Sequence, residues 1–158
     1  MGIGAKIKGG KVYLDANIFI YLLEGHPNHQ KVIGELFRII DAGGLAAFTS
    51  ELTLMETLVK PMMDNNEALA NLYMGALETS DSLHIEKIGR DILIEAARLR
   101  AQSPRLLLPD AIHAATALAL KCGALITNDK KLRPISGIDV VLISEASDEM
   151  DETVALQP

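Results

Sequence analysis

Short apolar segments that alternate with segments of helical periodicity constrain the fold of this chain more than any other feature. The apolar segments are predicted to be β-strands over residues 11–15, 45–48, 83–85, 124–127 and 139–143. Apolar residues at three- and four-residue spacing fill the stretches between them, which predicts amphipathic helices. Strands that alternate with helices indicate an α/β domain on a mostly parallel, five-stranded sheet.

Prolines and the acidic end of the chain set several predicted boundaries. Pro61 is expected to stop the helix that starts near Glu51, because an internal proline removes a backbone donor. Pro109 followed by Asp110 is a usual helix opening. We expect one domain over residues 1–144 and a disordered acidic tail over residues 145–158.

The composition limits the kinds of site and compartment. With 158 residues, 49% of them apolar, the chain can bury a core of its own. The single cysteine, Cys122, excludes a disulfide framework and a thiolate metal site, and it suits a reducing, cytoplasmic setting. The apolar runs are too short to span a membrane, so we expect no membrane partner.

Four acids that are far apart in the sequence are predicted to meet at one edge of the sheet: Asp15, Glu56, Asp110 and Asp129. Asp15 and Asp129 follow the first and fourth strands. Glu56 lies in the helix after the second strand, and Asp110 opens the helix that leads into the fourth. Because ligand sites in such sheets lie at the carboxyl edge, where the strand order switches, these acids form a candidate site. Clustered carboxylates need a cation, and oxygen ligands favour Mg²⁺ or Mn²⁺.

Each acid, taken alone, also has a structural interpretation that stays open. Asp15 suits a helix N-cap, Asp110 a helix start and Asp129 a turn. Glu56 could pair with Lys60 four residues later, a contact that contributes only about 0.3 kcal/mol.

Two neighbouring residues compete with the four acids for a role in the site. Glu51 lies in the first helical turn, where the helix dipole accounts for a carboxylate. Glu56 lies beside the apolar stripe of the same helix, so it is the preferred candidate. His113 follows Asp110 by one turn and could be a base or a ligand, but packing on its neighbours is the favoured interpretation.

The net charge of −6 is unevenly distributed, which bears on a polyanionic partner. Five acids and no bases follow Ser144. Without those five the net charge is −1, and without the four candidate ligands as well it is +3. The mildly basic remainder is compatible with RNA. Three cations after Asp129 could contact phosphates, with a solvated loop as the alternative: Lys130, Lys131 and Arg133.

Four sequence segments match one known family in order. They are VYLDANIFIYLLEG from Val12, TSELTLMETLVKP from Thr49, LPDAIHAATAL from Leu108 and ITNDKKL from Ile126. Together they span nearly all of residues 11–143. With these segments the chain resembles the PIN domain family, and more narrowly the VapC-type ribonuclease toxins of prokaryotic toxin–antitoxin pairs.

This resemblance implies a three-layer α/β/α sandwich and cleavage of RNA that depends on Mg²⁺ or Mn²⁺. It implies that the four acids are catalytic and hold one or two metal ions. It further implies a homodimer and a cognate antitoxin as protein partners. Polar side chains in the matching segments would support the site: Asn17, Ser50 and Thr127.

Other functions remain as alternatives to a toxin nuclease. Phosphotransfer through an aspartate is disfavoured, because Ala16 and Asn17 follow Asp15 and no second acid is paired with it. A housekeeping PIN nuclease in RNA processing shares every feature above. A catalytically silent PIN-like binding module is also possible, although the presence of all four acids argues against the loss of metal.

Overall fold

The computed structural model describes residues 2–155, in which five parallel strands form one sheet. The strands are β1 (Lys11–Leu14), β2 (Ala46–Ser50), β3 (Leu83–Glu86), β4 (Ala124–Thr127) and β5 (Asp139–Leu142). Their order is β3-β2-β1-β4-β5, so the chain builds outward from β1 on one side and then crosses to the other. The switch point lies between β1 and β4, the two strands that Asp15 and Asp129 follow.

Helices connect the strands and cover both faces of the sheet. Within residues 2–155 they are α1 (Ala16–Glu24), α2 (Gln30–Asp41), α3 (Glu51–Met63), α4 (Glu67–Ala76), α5 (Arg90–Gln102), α6 (Leu108–Ala119) and α7 (Ile143–Ala155). One core unites one face of the sheet with α1, α2, α4 and α7, and the other core lies under α5 and α6. The predicted three-layer sandwich is confirmed. No helix of residues 2–155 is long and apolar enough to cross a membrane.

Alternate residues of the central strands point into the two cores. Val12 and Leu14 of β1 belong to the first core, whereas Tyr13 between them belongs to the second. In the second core α6 contributes small side chains, among them the fully buried Ala114 and Ala117. Small residues let a helix approach a sheet closely, and here the start of α6 comes to lie at the carboxyl edge of β1.

The structure corrects the prediction that Pro61 ends its helix. Helix α3 continues through Pro61 to Met63. A proline in the last turn costs only one helical hydrogen bond, and its ring is buried here. Its carbonyl group still accepts a bond, at 2.8 Å, from the amide of Asn66 beyond the helix.

The structure also differs from the expected disorder of the acidic tail. Residues 145–155 belong to α7, which buries Ala146 and Ser147 and packs Met150 against the first core. Glu149 of this helix pairs with Lys6 at 2.6 Å. The apolar residues recur at helical spacing, and this pattern outweighs the charge of the intervening acids. Residues 156–158 of the tail lie outside the described residues, and the domain boundary at residue 144 stays a prediction.

Candidate metal centre

Asp15 lies at the switch point and is held by three donors. It directly follows β1 and is only 6% exposed. Its Oδ1 accepts the Ala16 amide at 2.7 Å, which makes it the N-cap of α1. Its Oδ2 accepts the Thr127 hydroxyl at 2.6 Å and the Asn17 side-chain amide at 3.3 Å. The cap and the site interpretations therefore coexist, and both carboxylate oxygens are fixed in direction.

Thr127, the last residue of β4, connects Asp15 to Asp129. Its hydroxyl oxygen accepts the Asp129 backbone N–H at 3.0 Å while its proton goes to Asp15. Oδ1 of Asp129 accepts the Lys131 amide at 2.9 Å, so the predicted turn is present as well. One hydroxyl thus sets the spacing between acids that follow neighbouring strands.

Glu56 meets His113 rather than Lys60. Oε1 of Glu56 lies 2.5 Å from Nε2 of His113, and Oδ1 of Asp15 lies 3.5 Å from the same nitrogen. Lys60 pairs instead with Asp64 at 2.7 Å. Glu51 is exposed in the first turn of α3, as its structural interpretation predicted.

The hydrogen bonds around His113 define its protonation. Its Nδ1 lies 2.7 Å from the hydroxyl of Tyr13, which donates its only proton to Ser50 Oγ at 2.9 Å. With the Tyr13 proton on Ser50, Nδ1 donates to Tyr13. Nε2 faces the carboxylate of Glu56, which can only accept when ionised, so this set of hydrogen bonds favours the imidazolium. Burial disfavours that charge, but the bond to Glu56 and the nearby carboxylates outweigh burial and raise the pKa of His113 above its usual value.

Asp110 contrasts with Asp15 in lacking donors. Its Oδ2 is buried and finds no hydrogen-bond partner within residues 2–155. Burial raises the pKa of Asp110 to about 6, and the charges of Asp129, Asp15 and Glu56 add to this effect, while His113 acts in the opposite direction. A buried carboxylate oxygen without a donor, among other acids, is the environment in which a cation stabilises the ionised form.

The donors that meet here suit a divalent cation. One ligand atom each from Asp15, Glu56 and His113 lies within 4.8 Å of the others. Asp110 acts electrostatically on this group from the start of α6. Carboxylate oxygens are the ligands that Mn²⁺ and Mg²⁺ sites use, while His113 as an imidazolium holds Glu56 instead of binding the metal. The side chains therefore fit a bound metal.

His113 is the participant that the sequence analysis underrated. It was expected to pack on its neighbours, and it is fully buried, but its contacts are polar. The available signal was its position three residues after Asp110, which places both side chains on one helical face. Tyr13 gave no such signal, because a strand tyrosine usually belongs to the core.

The predicted phosphate contacts divide into two kinds. Lys130 and Lys131 are exposed in a short 3-10 turn over Lys130–Leu132, next to Asp129. The guanidinium of Arg133 instead pairs with Glu145 of α7. The structure thus leaves the two lysines available at the edge of the acidic cluster, defined as Asp15, Glu56, Asp110 and Asp129.

Comparison with known proteins identifies the family. The family model described as PIN domain matches residues 12–138. The chain belongs to the PIN domain family. PIN domains are nucleases that generally use a divalent metal, in keeping with the acidic cluster. No curated protein matches the chain.

Solved structures give the PIN domain close structural counterparts. It is similar to a toxin–antitoxin complex from Klebsiella pneumoniae, with 27% identity, a TM-score of 0.60 and coverage of 84% of this chain and 97% of that one. Two others at 17% identity share the fold. VapBC2 from Rickettsia felis, bound to promoter DNA, has a TM-score of 0.66 with coverage of 84% and 98%. VapC20 from Mycobacterium tuberculosis, a sarcin–ricin loop cleaving toxin, has a TM-score of 0.63 with coverage of 80% and 95%.

Proposed function

We propose that this PIN domain is a metal-dependent endoribonuclease that hydrolyses phosphodiester bonds of RNA, with Mg²⁺ or Mn²⁺ held by Asp15, Glu56, Asp110 and Asp129. The observation that carries the proposal is the meeting of Asp15 and Glu56 with His113 at the switch point. Asp110, whose buried oxygen has no donor within residues 2–155, interacts electrostatically with this group and with Asp129. Such a cluster is costly without a cation, so its presence in the folded chain indicates a role.

The acidic side chains would hold the metal, and the lysines beside them would contact the RNA. Asp15 is aimed by Thr127 and Asn17 and cannot turn away without losing their bonds. Asp129 is held at the far side of Thr127, so both strand-end acids keep a fixed spacing. A divalent cation bound among these acids would neutralise charge on a phosphodiester and activate water. The exposed Lys130 and Lys131 would hold the neighbouring phosphates.

His113 acts in this scheme as a positioning residue. It holds Glu56 through Nε2 and is itself oriented by Tyr13 and Ser50. Its positive charge offsets part of the repulsion among the carboxylates when the acids have no other cation. Ser50 therefore supports the site through Tyr13, whereas Asn17 and Thr127 bind Asp15 directly.

We further propose that the protein is the toxin of a toxin–antitoxin pair, that it forms a homodimer and that it acts in the cytoplasm. The similarity to the Klebsiella pneumoniae complex supports an antitoxin partner, and the similarity to the RNA-cleaving VapC20 supports an RNA substrate. Induction of the chain alone should arrest bacterial growth, and co-expression of the small reading frame beside its gene should restore growth. Unimpeded growth on induction would point to the housekeeping alternative.

The ribonuclease activity is tested by incubating purified protein with structured RNAs, with and without Mn²⁺. We expect cleavage only with metal, and a fall of about a thousandfold or more for Asp15→Asn, since it removes a charged ligand. Asp81→Asn, an exposed acid in the loop before β3, is the matched control and should cleave normally. Metal-independent cleavage, or full activity of Asp15→Asn, would contradict the proposal.

A catalytically silent binding module is the second candidate, and one observation favours it. His113 already supplies a protein cation between Glu56 and Asp15, so the cluster is partly neutralised without metal. Calorimetric titration with Mn²⁺ separates the two functions. Binding that Asp15→Asn abolishes supports the nuclease, whereas no heat at millimolar Mn²⁺ supports the silent module.

A further inference from the structure

A cleft at the carboxyl edge of the sheet adjoins the acidic cluster. One wall is the segment between α5 and α6, and the other is the segment that follows β4. The cleft encloses about 540 Å³, which lies within the range of sites that hold small ligands. Four apolar residues and two cations line it: Pro104, Leu106, Pro134, Ile135, Arg105 and Lys131.

The apolar lining offers surface to a flat ring. Leu106 and Ile135 are buried, whereas Pro104 and Pro134 are exposed on the two facing segments. Proline and branched aliphatic side chains present rigid apolar surfaces at a low entropy cost. A nucleobase has two apolar faces and a polar edge, so it can pack here without burying its hydrogen-bonding groups.

The two cations of the cleft are unpaired in the described part of the chain, as is Lys130 next to them. Within residues 2–155, neither Arg105 nor Lys131 forms an ion pair with an acidic side chain. Nearby arginines are engaged: Arg98 pairs with Glu95, and Arg133 with Glu145. An unpaired guanidinium can contact a phosphate or stack on a base, and an unpaired ammonium can contact the next phosphate.

Both walls of the cleft lead directly into the acidic cluster. Lys131 lines the cleft, and its backbone N–H donates to Asp129 Oδ1 at 2.9 Å. On the other wall, Leu106 lies two residues before α6, which carries Asp110 in its first turn. A strand that occupies the cleft would therefore lie next to the segments that carry Asp129 and Asp110.

We propose that this cleft binds one nucleotide of a single-stranded segment of the RNA substrate, with the base between the two prolines and the phosphates at Arg105 and Lys131. The proposal rests on the proposed ribonuclease function and names the part of its substrate that is held outside the metal centre. The chain contains no tryptophan and only 4% aromatic residues, so proline rings take the place of aromatic stacking.

The base contact is tested by nuclear magnetic resonance on ¹⁵N-labelled protein without metal. Ribonucleoside 5′-monophosphates should shift the backbone amide signals of Arg105, Leu106, Lys131 and Ile135, and ribose 5-phosphate should shift them much less. Equal shifts with ribose 5-phosphate would mean that the cleft binds only the phosphate, and they would overturn the proposal. Amide signals that stay unchanged with every nucleotide would overturn it as well.

The strand contact is tested by fluorescence anisotropy with a labelled single-stranded oligoribonucleotide in the Asp15→Asn background. Arg105→Gln and Lys131→Gln should each weaken binding about fivefold and reduce the salt dependence by about 0.7 in log–log slope. Arg38→Gln is the matched control, because Arg38 is exposed near the end of α2, at the opposite edge of the sheet. Cleft variants that bind as tightly as the control, or that affect only a DNA oligonucleotide, would overturn the proposal.

Failure of the cleft and failure of the nuclease are distinguishable. If metal-dependent cleavage is found but nucleotides do not perturb the cleft, the nuclease stands and the cleft assignment falls. If nucleotides bind the cleft but RNA is not cleaved with any metal, the nucleotide site stands and the proposed hydrolysis falls.

Discussion

The strand-end half and the helix-start half of the acidic cluster are held in opposite ways. At the strand ends, both oxygens of Asp15 accept hydrogen bonds, and Thr127 ties Asp15 to Asp129. At the start of α6, Asp110 has a buried oxygen without a donor in the described chain and a pKa raised to about 6. The first half therefore fixes geometry, while the second keeps a negative charge that no hydrogen-bond donor of the described chain stabilises.

Because of this difference, the strand-end acids orient a bound metal, whereas Asp110 supplies more of its binding energy. Hydrogen bonds to a carboxylate stabilise its charge and reduce what a cation can add. An unsatisfied carboxylate gains more from the same cation, so Asp110 should contribute strongly to binding energy.

Thr127→Val should have the largest effect, because it removes the bridge of the strand-end half. Asp15 Oδ2 loses its shortest donor and the Asp129 N–H loses its acceptor. We expect Mn²⁺ affinity to fall by about 10–100-fold, as for other residues that orient metal ligands. Thr116→Val is the control, since its hydroxyl bonds to the Ile112 carbonyl within α6. Equal affinities of the two variants would show that the bridge does not orient the acids.

Asp110→Asn should stabilise the metal-free protein at pH 7. The substitution removes a charge that the folded chain holds at a raised pKa, and the gain should be on the order of 2 kcal/mol in free energy of unfolding. The stabilisation by Mn²⁺ should become smaller at the same time. Asp91→Asn, an exposed acid in the first turn of α5, should instead cost about 0.5 kcal/mol. Chemical denaturation with and without Mn²⁺ measures the free energy of unfolding of each variant. An Asp110→Asn protein that is less stable than wild type without metal would contradict the prediction.

The stability difference between wild type and Asp110→Asn should depend on pH with a defined sign. The pKa of Asp110 is about 6 in the folded chain and 3.8 as its ordinary value, so the folded state binds more protons between these values. Its contribution is fully present below about pH 4 and is lost as the pH rises through 6. The advantage of Asp110→Asn should therefore be full at pH 7.5 and small at pH 4. Denaturation at several pH values tests this, and a constant difference would refute it.

Of the three site substitutions, Glu56→Gln should have the smallest effect on stability. Glu56→Gln keeps an acceptor for His113 but removes the negative charge, so we expect a loss of about 1 kcal/mol in unfolding free energy. The pKa of His113 should fall, because the bond to Glu56 raises it. Glu51→Gln on the same helix is exposed and should change stability by less than about 0.5 kcal/mol. Histidine titration by nuclear magnetic resonance measures this pKa. An unchanged pKa of His113 in Glu56→Gln would contradict the prediction.

Much of the fold followed from local pattern. The strand at Ala124–Thr127 has its predicted bounds, and β1 and β5 differ from prediction only at their last residue. Local pattern failed where one residue type was given too much weight. Pro61 did not end α3, and the acids of residues 145–155 did not prevent a helix, because burial of neighbouring apolar residues decided both cases.

The sequence was sufficient to predict at which edge of the sheet the candidate site lies. The placement of Asp15 and Asp129 required only that β1 and β4 be neighbours, which strand order then confirmed. The preference for Glu56 over Glu51 agrees with their exposures. His113 was underrated, because its partners come from β1 and α3, far away in the sequence.

The sequence by itself determined which acids stand at strand ends and helix starts, since hydrophobic periodicity and helix-opening residues are local properties. Only the tertiary structure decided how each acid is held. Thr127 meets Asp15 across 112 residues, and His113 meets Glu56 across 57. Such hydrogen bonds depend on the packing of α6 and β4 around β1, and local periodicity does not specify packing between distant elements. For the same reason the sequence could name Asp110 as a candidate, while only the folded chain left one of its oxygens buried without a donor in the described residues.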